Sequence, residues 1–258
     1  MDRSNNLNFK KILLLCLPMV FALTLAITLA ACMAQANLNL DSSLLGEETT
    51  AKAPSQNSEH EVLGALSDLE FSSNGDGTCS VVGIGSCTDS NVEVPEYSPD
   101  GDLVTAVADS AFFGCATLKE IKLPGSVKKI GDYAFYGSSL KSISISESVT
   151  QIGECAFSNC TSLTMISVDP DCKNYSSLEG VLFSKDKTEL ICYPSGKTNS
   201  SYTIRSSVKK IAKMAFYNCA ALETVNYNGI KEQWEEIEIA SGNDSLLAAT
   251  VKFPSSKK

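Results

Sequence analysis

This sequence predicts a mainly β repeat solenoid, and three observations carry that prediction. A four-point spelling (Val, two residues, Ile or Val, three residues, Ala-Phe) occurs at Val104/Val107/Ala111/Phe112, Val127/Ile130/Ala134/Phe135, Val149/Ile152/Ala156/Phe157 and Val208/Ile211/Ala215/Phe216. Its Phe-to-Phe steps are 23, 22 and 59 residues, and a period in the twenties marks stacked coils. Each spelling then runs into an alternating apolar segment suited to a short strand: Leu118/Ile121/Leu123, Leu140/Ile143/Ile145, Leu163/Ile166/Val168 and Leu222/Val225. Pro124 stops the first of these. The second coil drops one residue before Leu140, so it steps by 22 and lacks the Cys found at 115, 160 and 219.

Composition bounds what such a solenoid can do. The chain has 258 residues, 43% hydrophobic and 20% charged, which supplies enough apolar side chain for a sizeable core. A net charge of −9 argues against a nucleic-acid partner, which needs a basic stripe.

Taken in order, residues 1–32 read as a signal. Arg3, Lys10 and Lys11 precede an uncharged apolar run from Ile12 to Ala31. The run ends Leu29-Ala30-Ala31-Cys32, which resembles the lipobox of bacterial lipoproteins, in which the Cys32 thiol would carry a diacylglycerol. Cleavage after Ala34-Gln35-Ala36 and an uncleaved anchor are the alternatives, since 20 residues also suffice to span a bilayer. All three place the remainder outside the cytoplasm. Residues 33–65, rich in Ser, Thr, Glu, Asn and Ala and without an aromatic, read as a flexible tether.

Residues 66–103 are expected to form an N-terminal β cap, because Leu69-Glu70-Phe71 and Ser80-Val81-Val82-Gly83-Ile84 flank Asn74-Gly75-Asp76-Gly77, a hairpin turn. The solenoid is expected over 104–228. The 59-residue step holds an expanded unit at about 169–205, in which Gly180-Val181-Leu182-Phe183 and Leu190-Ile191-Cys192-Tyr193 flank Lys185-Asp186-Lys187 as a second hairpin. Tyr202-Thr203-Ile204 reads as a further short strand. Residues 229–258 are expected to cap the far end: Ile230, Trp234 and Ile237 fall on one face of a short helix, and Thr250-Val251-Lys252-Phe253 reads as a last strand. Trp234, the only tryptophan, reads as a cap residue. Coils of this size cannot fold singly; each needs neighbours for burial and ladder hydrogen bonds.

The full spelling, A-F-x-x-C-x-x-L-x-x-I-x-[IL]-P-x-S-V-x-x-I-G-x-x-A-F, resembles the BspA-type leucine-rich repeat. Gly125-Ser126-Val127, Glu147-Ser148-Val149 and Ser206-Ser207-Val208 supply its corner; Ile130-Gly131 and Ile152-Gly153 supply I-G, from which Ile211-Ala212 departs. The resemblance covers about half the chain, and the expanded unit and both ends are similar to variants and flanks of the same family. It implies an extracellular or surface protein, of a kind often implicated in adhesion, with no catalysis in the repeat itself.

Chemistry is sparse elsewhere. The single histidine, His60, lies in the tether, which removes His-dependent nucleophilic machinery and most zinc sites. No C-x-x-C occurs, and neither cofactor nor metal is expected. Asp169-Pro170-Asp171 and Asp100-Gly101-Asp102 read as turns rather than calcium ligands. Cys115, Cys160 and Cys219 share one repeat position as small buried side chains, while Cys172 and Cys192, both in the expanded unit, are the candidate disulfide.

What remains is surface. By strand alternation, Glu120 and Lys122, Ser142 and Ser144, Met165 and Ser167, and Thr224 and Asn226 are expected to point outward on one continuous face. Its mixed, modestly charged composition suits an extracellular or surface protein as partner. The expected function is that of a membrane-tethered, non-catalytic surface protein mediating protein–protein interaction or adhesion. A glycan-binding module and a structural spacer of the cell envelope are the alternatives.

Overall fold

A computed structural model describes residues 69–86 and 88–254. The signal 1–32 with Cys32, the tether 33–65 with His60, and Cys87 lie outside the described residues. Among the described residues no helix is long and apolar enough to cross a membrane.

The first coils feed two sheets in turn. Strands β1 (Glu70–Ser73) and β2 (Thr78–Gly83) form the expected antiparallel hairpin. In its turn the Asp76 carboxylate accepts hydrogen bonds from the Thr78 amide (3.0 Å) and hydroxyl (2.6 Å). Beside β2, in parallel, run β4 (Leu103–Val107), β6 (Lys129–Ile130) and β8 (Gln151–Ile152). The second sheet is wholly parallel: β3 (Asn91–Glu93), β5 (Glu120–Lys122), β7 (Ser142–Ile145) and β9 (Met165–Val168).

Strand β3 begins this second sheet ahead of the first Ala-Phe. Val92-x-Val94-Pro95 repeats the Ile121-x-Leu123-Pro124 ending, with Val92 and Val94 buried, but no Ala-Phe precedes it to mark the coil. Inside the coils, Phe112 stacks on Phe135 at 5.2 Å and Phe135 on Phe157 at 5.6 Å, both with nearly parallel rings. The Val and Ile positions of the spelling form further rows beside them, all buried except the partly buried Ile152.

A backbone constraint explains the I-G pair. At Gly131 an added Cβ would lie 2.3 Å from Asp109 Oδ1, and at Gly153 2.3 Å from Asp132 Oδ1. Those carboxylates are in use: Asp109 accepts from the Asp132 amide (2.9 Å), and Asp132 from the Glu154 amide (2.8 Å). Each aspartate thus reaches across to the next coil, and glycine makes the room. Ala212 follows the expanded unit, where no such aspartate stands, so it tolerates a methyl group.

The expanded unit is a meander. Strands β10 (Tyr175–Leu178), β11 (Val181–Ser184) and β12 (Glu189–Cys192) run antiparallel, and β14 (Lys210–Ile211) and β16 (Glu238–Ile239) extend the sheet in parallel. The turn Lys185-Asp186-Lys187 joins β11 to β12, with Asp186 accepting from Ser184 and Thr188 as Asp76 does from Thr78. Strand β10 was not expected, because Tyr-Ser-Ser-Leu has little apolar character. A fourth sheet holds β13 (Ser201–Arg205), β15 (Thr224–Asn228) and β17 (Thr250–Lys252), all parallel.

Tyr193 takes the aromatic rung in this unit. It stacks on Phe216 at 5.0 Å, and its amide donates to Ala215 O just as Phe112 donates to Ala134 O. Its hydroxyl is buried without a hydrogen-bond partner.

Several expectations need correction. The Cys172–Cys192 disulfide is not formed: both are free thiols. Cys172 donates to Val149 O (3.6 Å), while alternation along β12 turns Cys192 inward toward Phe157 O (3.9 Å). In the cysteine row, Cys160 and Cys219 are buried and Cys115 only half-buried. Burial pushes the Cys219 thiol up to about 12 and that of Cys192 well above its ordinary value. The helix around Trp234 is a single turn, α1 (Lys231–Glu235). Ile230 precedes it exposed and Ile237 follows it buried, so these three residues do not share a helical face. Trp234 packs edge-on against Tyr227 at 5.3 Å. A second short helix, α2 (Asp244–Ala248), comes before β17.

Candidate functional site

The outward positions expected from alternation fall on two sheets, not on one face. Glu120, Lys122, Ser142, Ser144, Met165 and Ser167 all lie on the sheet β3–β5–β7–β9; Thr224 and Asn226 lie on the sheet β13–β15–β17. The β10–β11 hairpin turn stands between them. Gly180 O accepts the Ile166 amide at 3.0 Å, which fills the side of β9 where a fifth parallel strand would pair. Lys197 braces that turn by donating to Glu179 O at 2.8 Å.

The first face is ordered by register. Asn91, Glu120, Ser142 and Met165 make one row across the strands; Glu93, Lys122, Ser144 and Ser167 make the next. Underneath, Val92, Ile121, Ile143 and Ile166 are buried, so the strands have one wet and one dry side. Lys122 donates to Glu93 with their side chains 75% and 67% exposed, so the pair adds little stability and stays available to a partner. Ser144 and Ser167 share a hydrogen bond of 2.9 Å. Small serines between larger neighbours leave an open depression of about 340 Å³ over β3, β5 and β7. Met165 closes the row as an exposed apolar side chain beside the hairpin turn. Asn91 and Glu93 were missed with β3, although the Val92-x-Val94-Pro95 pattern was available to find them.

The second face is different in kind. Ser201, Thr224 and Thr250 lie in register at one end, and Thr203, Asn226 and Lys252 across the middle. Arg205 and Asn228 pair at the far end. A depression of about 220 Å³ lies over Thr203, Asn226, Asn228 and Lys252, with Tyr227, Phe253 and Pro254 at its side.

A cleft of about 430 Å³ marks the seam where the β2–β4–β6–β8 sheet ends and the β12–β14–β16 edge begins. Several of its polar groups are already engaged. Tyr175 Oη accepts the Ile152 amide (2.7 Å), Lys213 donates to Glu154 (3.2 Å) and to Tyr133 (3.3 Å), and Lys210 pairs with Glu189 (3.0 Å). The hydrogen bond to Glu189 raises the Lys210 ammonium, and those to Tyr133 and Glu154 raise Lys213, so both stay cationic. The cleft is a polar joint between sheets. Glu147, Asp169 and Asp171 bring exposed carboxylates together; Asp169 serves its own turn by accepting the Asp171 amide at 2.8 Å.

Comparison with known proteins supports the fold independently. The BspA type leucine rich repeat region matches the chain in six copies, over residues 90–199 and 186–256. A crystallised leucine rich cell surface protein from Faecalibacterium prausnitzii is 35% identical, with a TM-score of 0.50 over 59% of this chain. The pneumococcal vaccine antigen PcpA is 31% identical, with a TM-score of 0.49 over 54% of this chain. The matched part spans 38% of the first protein and 33% of the second. A comparison with curated proteins finds no match.

Proposed function

Because the chain belongs to the BspA type leucine rich repeat family, we propose that it is an exported, non-catalytic surface protein that binds another protein through the outward face of β3–β5–β7–β9. The observation that carries this reading is the depression on that face, lined by Glu93, Glu120, Lys122, Ser142 and Ser144. Such a surface offers mixed charge, hydroxyl donors and acceptors, and the apolar Met165 at its edge. These groups suit a polar, shape-dependent protein contact, in which charge sets specificity and rate more than affinity. On this face the Lys122 ammonium is paired with Glu93 and the Ser144 hydroxyl with Ser167.

On this reading Cys32 carries the lipid that holds the chain at the outer side of the membrane, and residues 33–65 are the tether. The similarity to a cell surface protein supports export. Adhesion follows if the partner belongs to another cell or to a matrix.

The test is binding of the full chain to a panel of purified matrix and cell-surface proteins, with Lys122→Glu and Ser144→Arg beside the unaltered protein. Both substitutions are expected to weaken the captured contact while leaving the melting temperature unchanged. Binding that survives both would remove this face from the reading. Mass analysis of the mature N-terminus checks the lipid at Cys32 separately.

A further inference from the structure

We infer that the outward face of β13–β15–β17 is a second, separate binding face, and that its ligand is an anionic polysaccharide. The inference stands apart from the protein-binding reading of the first face, since the β10–β11 turn separates the two.

The charge pattern carries it. The chain bears −9 overall, yet no outward position on these three strands is a carboxylate, and the two charged ones are Arg205 and Lys252. Neither cation joins an ion pair among the described residues. On the first face, by contrast, Lys122 is neutralised by Glu93. Three acidic residues lie near these strands without standing on their outward face. Glu223 precedes Thr224 at the Ser201 end, where its amide donates to Ser200 O, while Glu179 acts on the inward Tyr202 and Glu236 on the inward Tyr227; Arg205 and Asn228 close the other end. Arg205 and Lys252 stand two strands and roughly two residues apart, which sets their Cα atoms about 12 Å from each other across the sheet. A polymer carrying spaced anionic groups engages both, whereas a single small anion reaches one.

The remaining groups favour sugar over peptide. Between the cations lie Thr203, Asn226 and Asn228, hydroxyls and amides that both donate and accept, as ring hydroxyls do. They line the 220 Å³ depression, with Pro254 and the partly buried Phe253 at its side. The face lacks the buried aromatic anchors in deep pockets that dominate protein–protein affinity. Arg205 supplies a planar fork suited to a carboxylate or a sulfate.

The test measures binding of the purified full chain to dextran sulfate, to unmodified dextran of matched length and to single-stranded DNA, at physiological salt. Dextran sulfate is expected to bind, with affinity lowered about tenfold or more by Arg205→Ala combined with Lys252→Ala, since both charge-assisted contacts are then lost. Asn226→Asp, which puts a carboxylate between the cations at nearly constant volume, is expected to weaken it as well. Lys122→Ala on the first face should leave it unchanged, and circular dichroism confirms that each variant is folded. Equal binding of unmodified dextran, DNA binding as tight as dextran sulfate, or an equal loss in Lys122→Ala would each overturn the inference, as would no binding.

Discussion

The regular coils from Val104 to Val168 and the expanded unit at 169–205 solve the same packing problem with different parts. In the coils, identical side chains recur at each rung: Phe on Phe, and an aspartate that accepts the next coil's amide over a glycine. In the expanded unit the rung is kept but its occupants change, Tyr193 standing for Phe and Cys192 for Ala. Phe112, Phe135 and Phe157 form one continuous stack, and Tyr193 with Phe216 forms another. The difference teaches that a rung tolerates a change of residue, while a change of length interrupts both the aromatic stack and the outer sheets. The step from Phe157 to Tyr193 is 36 residues, 13 more than the 23-residue coil, and the stack ends at Phe157 and resumes at Tyr193.

The largest effect is expected where repetition is strictest. Phe135 is buried between two other phenylalanines, so Phe135→Ala removes contacts on both ring faces. It should cost about 3–5 kcal/mol, read as a fall in the urea midpoint. A cost below 1 kcal/mol would mean that the stack is not what joins the coils.

Next comes the glycine. Gly153→Ala drives a methyl into Asp132, whose backbone nitrogen would lie 2.4 Å away, so the neighbouring turn must move. A loss of about 1–3 kcal/mol is expected, as for overpacking, whereas Ala212→Gly should cost no more than about 1 kcal/mol. Equal losses at the two sites would break the distinction between coil and unit.

These two sites show how far the sequence was readable. The I-G spelling was visible, but its reason, a carboxylate one coil away, is a contact across 22 residues at Gly131 and 21 at Gly153. Alternation placed Glu120, Lys122, Ser142, Ser144, Met165 and Ser167 outward, because side-chain direction in a strand is a local property. Which sheet a strand joins is not local, so Thr224 and Asn226 were assigned to the wrong neighbours. Both hairpins were legible from their turn residues. Strand β10 was hidden because its burial comes from β9 and β11 rather than from its own apolar content.

A smaller effect should come from Tyr193→Phe. Burial pushes the Tyr193 hydroxyl up to about 12 and leaves it without a partner, so its loss removes a desolvated polar group. The change should be neutral or stabilising by about 1 kcal/mol, measured by the same titration. Marked destabilisation would show that the unit needs tyrosine there as the coils need phenylalanine.

The smallest effect concerns the paired hairpin turns. Asp186 is held below its ordinary range by hydrogen bonds from Ser184 and Thr188, and Asp76 chiefly by the hydroxyl and amide of Thr78. A depressed folded value means that the stabilisation is present above the unfolded value near 3.8 and is lost as pH falls through the lower folded value. The protection of the Thr78 and Thr188 amides against exchange, relative to the unfolded chain at the same pH, should therefore fall together only below about pH 4. If one turn loosened at neutral pH, the two hairpins would not be equivalent.

The aspartate overhang gives the fold a direction in time. Asp109 holds an acceptor ready for the Asp132 amide, and Asp132 for Glu154, always from an earlier coil to a later one. A nascent chain appears N-terminus first, so at these two corners the acceptor is already laid down when the later coil arrives, whereas the Phe112 and Phe135 amides wait for the Ala134 and Ala156 carbonyls of the coil that follows.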